Sequence, residues 1–391
     1  MTDPQPDRAL RAARLFDGGQ WHSDCGLLLA GETVQALLPA ADIPASLPCE
    51  HIADGFLAPG LVDLQVNGGG GLLFNNAPSA DTVLHIAAAH RRYGTTALLP
   101  TLLSDTAAVL EAGVAAVRSA RASAQAAAKA ILGIHIEGPF FASARRGTHR
   151  ADRLRRPTQQ DMDWLCSLTD LRCLTTLAPE AMAPGMIRQL TDAGIIVSAG
   201  HSAASWEALR QARQDGLRSF THLFNAMSPL SAREPGVTGA ALDSDDCWLG
   251  IIADGHHVHP ASIRIAHRCA APGKLFLVSD AMATVGSGQS WFTLYGERIT
   301  ARDGRLLNAE GALAGSAIAL IDAVRYCHQI VGLPLDECLR MASLYPAALI
   351  GEPQLGRIAA GSRADMVLLD EDLRVNATWL AGQREHHAQP Q

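Results

Sequence analysis

The feature that most constrains the fold is an alternation of short apolar runs with helix-like stretches through the middle of the chain. Eight apolar runs have the length of buried strands; they cover residues 60–66, 95–101, 130–136, 174–178, 195–199, 218–222, 249–253 and 275–279. Helix-like stretches lie between them, at 81–92, 105–129, 159–168, 184–193, 205–215 and 260–268. Strand–helix units that repeat every ~25–40 residues are typical of parallel sheets, and eight of them predict a (β/α)8 TIM barrel, an α/β fold.

An open, doubly wound sheet is the alternative that the same alternation allows. Such a sheet usually carries a G-x-G-x-x-G turn between its first strand and the helix that follows. Here the first strand is followed by Asn67 and four consecutive glycines at 68–71, with no helix directly behind them. The sequence therefore favours the barrel.

The two ends of the chain differ from its middle, because both contain short strand-like segments separated by turns. These segments lie at 12–16, 26–30, 33–38 and 50–53, and again at 364–369 and 373–378. We predict a small β-sandwich domain formed by residues 1–58 plus 346–391, and a TIM-barrel domain over residues 59–345. The polar tail after Arg384 is expected to be disordered.

Composition and charge exclude several classes of protein. The 391 residues are 48% hydrophobic and 18% charged, which excludes a disordered chain and is enough for a large core. The formal net charge is −7, and no long run of Lys and Arg occurs. An acidic chain of this kind is a poor binder of nucleic acids and membrane surfaces, so neither is an expected partner. A small anionic substrate held by a few local cations is compatible with the same charge.

Targeting signals and cysteine usage indicate the cellular compartment in which the protein is expected. The first residues lack a basic region followed by an apolar stretch, and no window of ~18 apolar residues occurs, so neither a signal peptide nor a membrane span is predicted. The eight Cys are scattered without a C-x-x-C pair, which argues against a thiolate zinc site. Free thiols fit a reducing compartment, and we expect a cytoplasmic protein.

Polar side chains follow several of the predicted strands, at the rim where barrel active sites lie. Glu137 ends the third strand, and His201, His222, His257 and Asp280 follow the fifth to eighth strands. A carboxylate and two His from different strands form a metal-binding set that leaves open positions for water. Each residue taken alone fits an ordinary surface role, but their conjunction at one rim predicts a site.

Ordered segments between residues 50 and 370 extend this pattern. They are Pro59-Gly60-Leu61-Val62-Asp63, Gln65-x-Asn67-Gly68, His135-Ile136-Glu137-Gly138-Pro139, Arg146-Gly147-Thr148-His149, Ser198-Ala199-Gly200-His201, Thr221-His222-Leu223-Phe224-Asn225-Ala226-Met227, Arg233-Glu234-Pro235-Gly236, Ile252-Ala253-Asp254-Gly255-x-His257-Val258, Ser279-Asp280-Ala281 and Leu313-Ala314-Gly315-Ser316. In order and spacing they resemble the amidohydrolase superfamily and, within it, the N-acetylglucosamine-6-phosphate deacetylase family.

The resemblance implies a metal-dependent hydrolase whose metal ligands are Glu137, His201 and His222. Hydrolysis of an amide needs a nucleophile stronger than neutral water, and a divalent metal lowers the pKa of a bound water to roughly 7. Zinc is the expected ion because it accepts nitrogen and oxygen donors of this kind, while iron, cobalt and manganese stay open.

The end of the first strand departs from the wider superfamily, most of whose members carry His-x-His there. Gln65 and Asn67 stand at these positions, and amides are weak ligands for zinc-class ions compared with imidazole. We therefore expect one metal ion per subunit, with Gln65 bonded to the bound water or to the groups around the ligands. His135 lies two residues before Glu137, on the same side of the strand, and either orients a ligand or packs in the barrel interior.

The resemblance also implies the catalytic and substrate-binding residues. Asp280 is the expected general base and acid, and His149 the expected hydrogen-bond donor to the carbonyl oxygen. The expected substrate contacts are Thr148, Asn225, Ala226, Arg233, His257, Leu313, Ala314 and Gly315. Arg233 and His257 are assigned to a phosphate, because Arg forms bidentate hydrogen bonds with phosphate. Leu313, Ala314 and Gly315 are assigned to an acetyl group.

The resemblance implies hydrolysis of the acetamide of N-acetyl-D-glucosamine 6-phosphate to D-glucosamine 6-phosphate and acetate. It also implies a homodimer, in which we expect Arg233 or its loop to reach across the subunit boundary. The galactosamine isomer stays open, since it differs at one hydroxyl group. A cyclic-amide hydrolase is disfavoured by Gln65, by Asn67 and by the presence of only two lysines. A non-enzymatic scaffold is disfavoured because Glu137, His201, His222 and Asp280 are all present.

Overall fold

The computed structural model describes residues 5–387. Residues 1–4, to which the expectation about the start of the chain applies, lie outside this range. The last part of the tail expected to be disordered, residues 388–391, lies outside it too. Within the described range, residues after Arg384 still belong to a strand, so the expectation of disorder is wrong as far as His386.

The first part of the chain forms five strands. They are β1 (Arg8–Phe16), β2 (Trp21–Ala30), β3 (Thr33–Pro39), β4 (Cys49–Ile52) and β5 (Phe56–Pro59). Antiparallel pairs join β1 to β2 and β2 to β3, while β4 and β5 lie parallel to β1. This sheet is completed by strands from the far end of the chain, described below.

The barrel strands follow. They are β6 (Leu61–Val66), a short ribbon of β7 (Gly68–Gly69) and β8 (Leu72–Leu73), then β9 (Thr95–Leu103), β10 (Gly133–Glu137), β11 (Arg172–Leu177), β12 (Ile196–Ala199), β13 (Ser219–Phe220), β14 (Trp248–Ile251) and β15 (Leu275–Leu277). Apart from the ribbon, they form one parallel sheet in chain order from β6 to β15. A bridge between Val66 and Ala281 brings the two edges together. The predicted eight-stranded TIM barrel is confirmed.

A four-stranded antiparallel sheet, which the sequence pattern did not predict, follows the last barrel strand. It consists of β16 (Trp291–Leu294), β17 (Glu297–Arg302), β18 (Arg305–Leu307) and β19 (Leu313–Ser316). Its first two turns are Tyr295-Gly296 and Asp303-Gly304, in which all four residues have positive φ. Two-residue turns with positive φ at both positions are common in β-hairpins, and a glycine at the second position favours them. These two pairs were therefore the sequence signal that could have predicted the hairpins.

The last three strands are β20 (Met366–Leu369), β21 (Val375–Leu380) and β22 (Gln383–His386). β20 pairs with β5 in antiparallel register, with Leu57 opposite Leu368. The strands of both chain ends therefore form one eight-stranded sheet with its own apolar core around Leu15, Leu29 and Trp379. The structure confirms the predicted β domain formed by both chain ends. Its residue boundaries stay a prediction.

Ten α-helices lie in the described chain. They are α1 (Ala80–Arg91), α2 (Ala107–Arg121), α3 (Gln159–Cys166), α4 (Met186–Asp192), α5 (Trp206–Gln214), α6 (Gly236–Leu242), α7 (Pro260–Cys269), α8 (Leu320–Tyr326), α9 (Leu335–Ala342) and α10 (Leu344–Leu349). Four begin behind a Ser or Thr whose side-chain oxygen accepts a backbone N–H: Ser79, Thr106, Thr158 and Ser205. Each such cap stabilises its helix by about 1 kcal/mol. None of these helices has the length and apolar character needed to cross a bilayer.

The helix expected over 105–129 is too long. α2 ends at Arg121, and the chain then makes a short 3₁₀ turn at Ala126–Ala130. A 25-residue helix would span about 37 Å, whereas the nine-residue strand β9 that it follows spans about 30 Å. The chain must turn back early to reach the barrel, where the Leu132 N–H donates to the Leu98 carbonyl at 3.1 Å.

Candidate active site

Four buried polar residues converge at the carboxyl ends of the barrel strands. Glu137 is the last residue of β10, while His201, His222 and Asp280 follow β12, β13 and β15. The last three have φ of 48°, 36° and 51°, in the left-handed region that non-glycine residues rarely occupy. Such a backbone costs about 1–3 kcal/mol per residue and is found at functional sites, where the surrounding structure holds it in place.

The donor atoms of three of these residues form a small triangle. Glu137 Oε1 lies 3.1 Å from His222 Nε2 and 3.3 Å from His201 Nε2, and the two Nε2 atoms lie 3.1 Å apart. Ligand atoms at about 2.0–2.1 Å from a tetrahedral ion lie about 3.3 Å from one another. The three side chains therefore have the spacing of a metal-ligand set.

The hydrogen bonds of the triangle also point to a cation. His201 Nδ1 lies 2.9 Å from the Arg145 carbonyl oxygen and must donate to it. A neutral His201 then has a lone pair on Nε2, directed at the Glu137 carboxylate and at His222. Facing lone pairs repel unless a cation lies between them, and metal-binding His residues typically donate their second N–H to a carbonyl group. The buried Glu137 Oε2 also has no partner among the described residues.

Gln65 and Asn67 join the triangle to Asp280 through their amide groups. Gln65 Nε2 donates to Glu137 Oε1 at 3.1 Å and to Asp280 Oδ1 at 3.2 Å. Asn67 Nδ2 donates to the same Asp280 oxygen at 2.7 Å. These amide nitrogens therefore orient the two carboxylates.

Asp280 faces this cluster from the far edge of the barrel. Burial, together with the neighbouring Glu137 carboxylate, raises the pKa of Asp280 to about 7. A carboxyl group that titrates near neutral pH and lines the same cavity as the triangle is suited to accept and release a proton.

His149 lies on the loop between β10 and α3 and packs against the triangle. Its ring centre is 4.6 Å from that of His201 and 5.0 Å from that of Phe141, edge to face in both cases. Burial, reinforced by His201, lowers the pKa of His149 to about 3, so the ring is neutral. A neutral imidazole at this position offers one N–H donor.

His257 is held by Asp254, whose side chain is almost completely buried. Asp254 Oδ2 lies 2.7 Å from His257 Nδ1, while its other oxygen accepts the backbone N–H groups of His256 and His257. Burial alone would raise the pKa of Asp254, but these hydrogen bonds and the His257 ring lower it to about 2. The ionised carboxylate therefore holds Nδ1 as a donor and fixes the His257 ring.

The structure brings most of the predicted site residues to one cavity. Those that line it are Asn67, Glu137, Thr148, His149, His201, His222, Asn225, Ala226, His257, Asp280, Leu313 and Gly315. Gln65 lies behind this lining, and Ala314 is completely buried. His135 is buried too, with Nε2 2.7 Å from Thr176 Oγ1 and no hydrogen bond to a proposed ligand among the described residues.

Arg233 is the one predicted site residue that lies on the surface. It is exposed on the turn that precedes α6, and it does not line the cavity. Its assignment to the phosphate stays a prediction.

Several residues in or beside the cavity were not predicted from the sequence. Leu103, Ile252 and Met282 supply apolar walls, and Ser104, the first residue after β9, contacts His149. Ser104 obeys the same pattern of a polar residue behind an apolar strand that singled out Glu137 and Asp280. That pattern, applied to the second strand, was the signal that could have found it.

Comparison with known proteins decides the family. The sequence profile of the Amidohydrolase family matches residues 56–384. The chain belongs to this family. As an amidohydrolase it is a metal-dependent hydrolase, which agrees with the buried Glu137–His201–His222 set.

Curated relatives of this amidohydrolase cover most of its length. It is 42% identical over 352 residues to an N-acetylgalactosamine-6-phosphate deacetylase of Shewanella sp., with 90% of this chain and 88% of the relative covered. It is 34% identical over 363 residues to an N-acetylglucosamine-6-phosphate deacetylase of Haemophilus influenzae, with 92% and 94% covered.

A solved structure shares the fold of this amidohydrolase closely. The N-acetylglucosamine-6-phosphate deacetylase of Pasteurella multocida superposes with a TM-score of 0.93 at 34% identity, covering 97% of this chain and 100% of that one. Fold, family and relatives thus agree with the resemblance noted from the motifs.

Proposed function

We propose that this amidohydrolase hydrolyses the acetamide of N-acetyl-D-glucosamine 6-phosphate to D-glucosamine 6-phosphate and acetate. The observation that carries the proposal is the convergence of Glu137, His201 and His222 on one point, with Asp280 on the wall of the same cavity. Relatives at 34% and 42% identity carry the names of deacetylases for phosphorylated amino sugars, which supports this substrate class.

We assign one divalent ion per subunit, preferably zinc, to Glu137, His201 and His222. When bound, such an ion supplies Lewis acidity, which activates a water molecule and polarises a carbonyl group. The donor set of two imidazoles and a carboxylate suits zinc. Gln65 and Asn67 support a single ion, because amides are weak ligands for zinc-class ions and their nitrogens already donate to the carboxylates.

The side chains around the cavity have complementary roles in amide hydrolysis. The Asp280 carboxylate accepts a proton from the attacking water and delivers it to the amine nitrogen as the C–N bond breaks. His149 donates a hydrogen bond to the carbonyl oxygen as negative charge collects there. Asn67 holds Asp280 Oδ1 at 2.7 Å, which keeps the carboxylate aimed at the reacting atoms.

Substrate recognition is divided between two sides of the cavity. Leu313 and Gly315 of β19 line the side assigned to the acetyl group. Thr148, Asn225 and His257 line the remainder and are assigned to the phosphorylated sugar. Since Arg233 is exposed outside this cavity, its assignment to the phosphate rests on the predicted homodimer, in which it serves the cavity of the second copy.

A second substrate is favoured by a specific observation. The relative at 42% identity is named for the galactosamine isomer, whereas the relative from Haemophilus influenzae, named for the glucosamine isomer, is 34% identical. N-acetyl-D-galactosamine 6-phosphate is therefore the alternative substrate.

One experiment tests both candidates. The zinc-loaded enzyme is incubated with each phosphorylated N-acetylhexosamine, and acetate release is followed as kcat/KM. A higher kcat/KM for the glucosamine isomer supports the first proposal, and the opposite order supports the alternative. Absence of acetate from both substrates, with zinc bound at one equivalent, would refute the deacetylase proposal as a whole.

A further inference from the structure

Ser104 lies at the rim of the barrel directly beside His149. It is the first residue after β9 and is completely buried. Its hydroxyl oxygen lies 2.9 Å from His149 Nδ1, and its backbone nitrogen lies 3.3 Å from the same atom. The two groups of one residue thus face a single ring nitrogen that is 45 residues away in the chain.

The backbone contact, at 3.3 Å, favours one position of the ring hydrogen. A backbone N–H donates and cannot accept, so Nδ1 must present its lone pair to Ser104. In a neutral imidazole the other nitrogen then carries the hydrogen. His149 is therefore held in the Nε2–H tautomer, and Nε2–H is the donor that remains for the cavity.

The hydroxyl group reinforces the same tautomer. It can also donate to the Glu137 carbonyl oxygen, but that oxygen is 3.3 Å away, against 2.9 Å for His149 Nδ1. If the hydroxyl donated to Glu137 alone, its lone pairs would face the lone pair of Nδ1 at 2.9 Å. Donation to Nδ1 avoids this repulsion.

The surrounding structure fixes Ser104 in this position. Tyr295, from the first turn of the four-stranded sheet, donates its hydroxyl hydrogen to the Ser104 carbonyl oxygen at 2.7 Å. On the other side, Gly138 packs so closely that a Cβ there would collide with Ser104 Oγ. The hydroxyl is thus confined between Gly138 and the His149 ring.

We infer that Ser104 is a positioning residue whose hydroxyl group, the nearer of its two contacts, holds His149 as the Nε2–H tautomer, so that His149 can donate to the carbonyl oxygen of the substrate. This inference rests on the role given to His149 in the proposed function. The opposite tautomer would direct a lone pair at the carbonyl oxygen and would repel the charge that develops there. Ser104 touches no reacting atom and acts only through the ring.

A double-mutant cycle tests this inference in the zinc-loaded enzyme, with acetate release as the assay. Ser104→Ala removes the hydroxyl donor and is expected to lower kcat by about 10- to 100-fold, by analogy with the range found for residues that orient metal-binding His side chains. KM is expected to stay within about twofold, because an interaction made only in the transition state affects kcat alone. In a His149→Ala background, Ser104→Ala is expected to cause no further loss, because the two residues act as a unit.

Ser343→Ala is the matched control. Ser343 is also completely buried and donates its hydroxyl to a carbonyl group, that of Leu339, outside the cavity. Its kcat is expected to equal that of the wild type. An unchanged kcat in Ser104→Ala, or independent and additive losses in the double variant, would overturn the inference. A wild-type enzyme that releases no acetate would refute the proposed function instead, so the two failures are distinguishable.

Discussion

Asp63 carries a completely buried carboxyl group in the first barrel strand, and its ionisation should be measurable as a loss of stability. Asp63 Oδ1 accepts the backbone N–H groups of Gln65 and Ser279 at 3.3 and 3.2 Å, and the buried Oδ2 has no partner among the described residues. Burial raises the pKa of Asp63 from 3.8 to about 6, and these hydrogen bonds oppose it only in part. Asp63→Asn replaces the carboxyl with a neutral group of the same shape that keeps the accepting oxygen.

The sign and size of the change in stability follow from the coupling between proton binding and folding. Between pH 3.8 and about 6 the folded state binds more protons at Asp63 than the unfolded state does, so rising pH lowers the free energy of unfolding. A shift of about two pKa units corresponds to about 3 kcal/mol, of which about 2 kcal/mol is lost between pH 4.5 and 7.5. The neutral amide introduced by Asp63→Asn carries no such penalty. The stability of Asp63→Asn relative to wild type should therefore increase by about 2 kcal/mol over this pH range.

Calorimetry can measure this difference. At ~2.1 cal/mol/K per residue, 391 residues have an unfolding entropy of about 0.8 kcal/mol/K, so 2 kcal/mol corresponds to a change of about 2 °C in the Tm difference. Both proteins are scanned at the same rate and metal concentration from pH 4.5 to 7.5. Asp54→Asn, at an exposed carboxyl, is the control and should show a constant offset. A constant Tm difference for Asp63→Asn would refute the reasoning and would mean that the ionised carboxylate has a compensating partner.

Four further outcomes concern the site. Asp280→Asn should abolish acetate release while metal analysis still finds one equivalent; loss of the metal would make Asp280 a ligand. Chelation should remove activity that about one equivalent of zinc per chain restores, and two tightly held equivalents would contradict the role given to the amides of Gln65 and Asn67. Asp254→Asn should raise KM by about 10-fold with a smaller change in kcat, because His257 loses the carboxylate that orients it; an unchanged KM would exclude His257 from substrate binding. Co-expression of Arg233→Ala with Asp280→Asn should give activity that neither variant has alone if Arg233 serves the second copy of a dimer, and no recovery in a verified mixed dimer would place Arg233 elsewhere.

The barrel could be predicted because two features of the sequence indicate its strands. Each strand is an apolar run of the right length, and in five of them a polar residue of ligand or acid–base type stands at or just behind the carboxyl end. The predicted helix over 105–129 was wrong because alanine content favours a helix but does not set its length. Its end is imposed by the need to return to the barrel at Leu132.

The site could be predicted only in part, because spacing in the sequence does not give orientation. That Gln65 and Asn67 direct their amide nitrogens at carboxylates depends on the positions of Glu137 and Asp280, which come from other strands. The exposure of Arg233 could not be deduced from the motif that contains it. The pattern of polar residues behind strands indicates Ser104, but its contact with His149 could not be predicted, because His149 lies on an irregular loop.

The sheet shared by the two chain ends contains strands that the ribosome synthesises far apart in time. β5 ends at Pro59, and its antiparallel partner β20 begins at Met366, about 300 residues later. At about 5–20 residues per second, a ribosome needs about 15–60 s to bridge that interval. Throughout this time the edge of β5 lacks its antiparallel partner, and such an edge is a template for pairing with another chain. The nascent chain therefore depends on early burial of this edge, and any product truncated before β20 keeps it exposed.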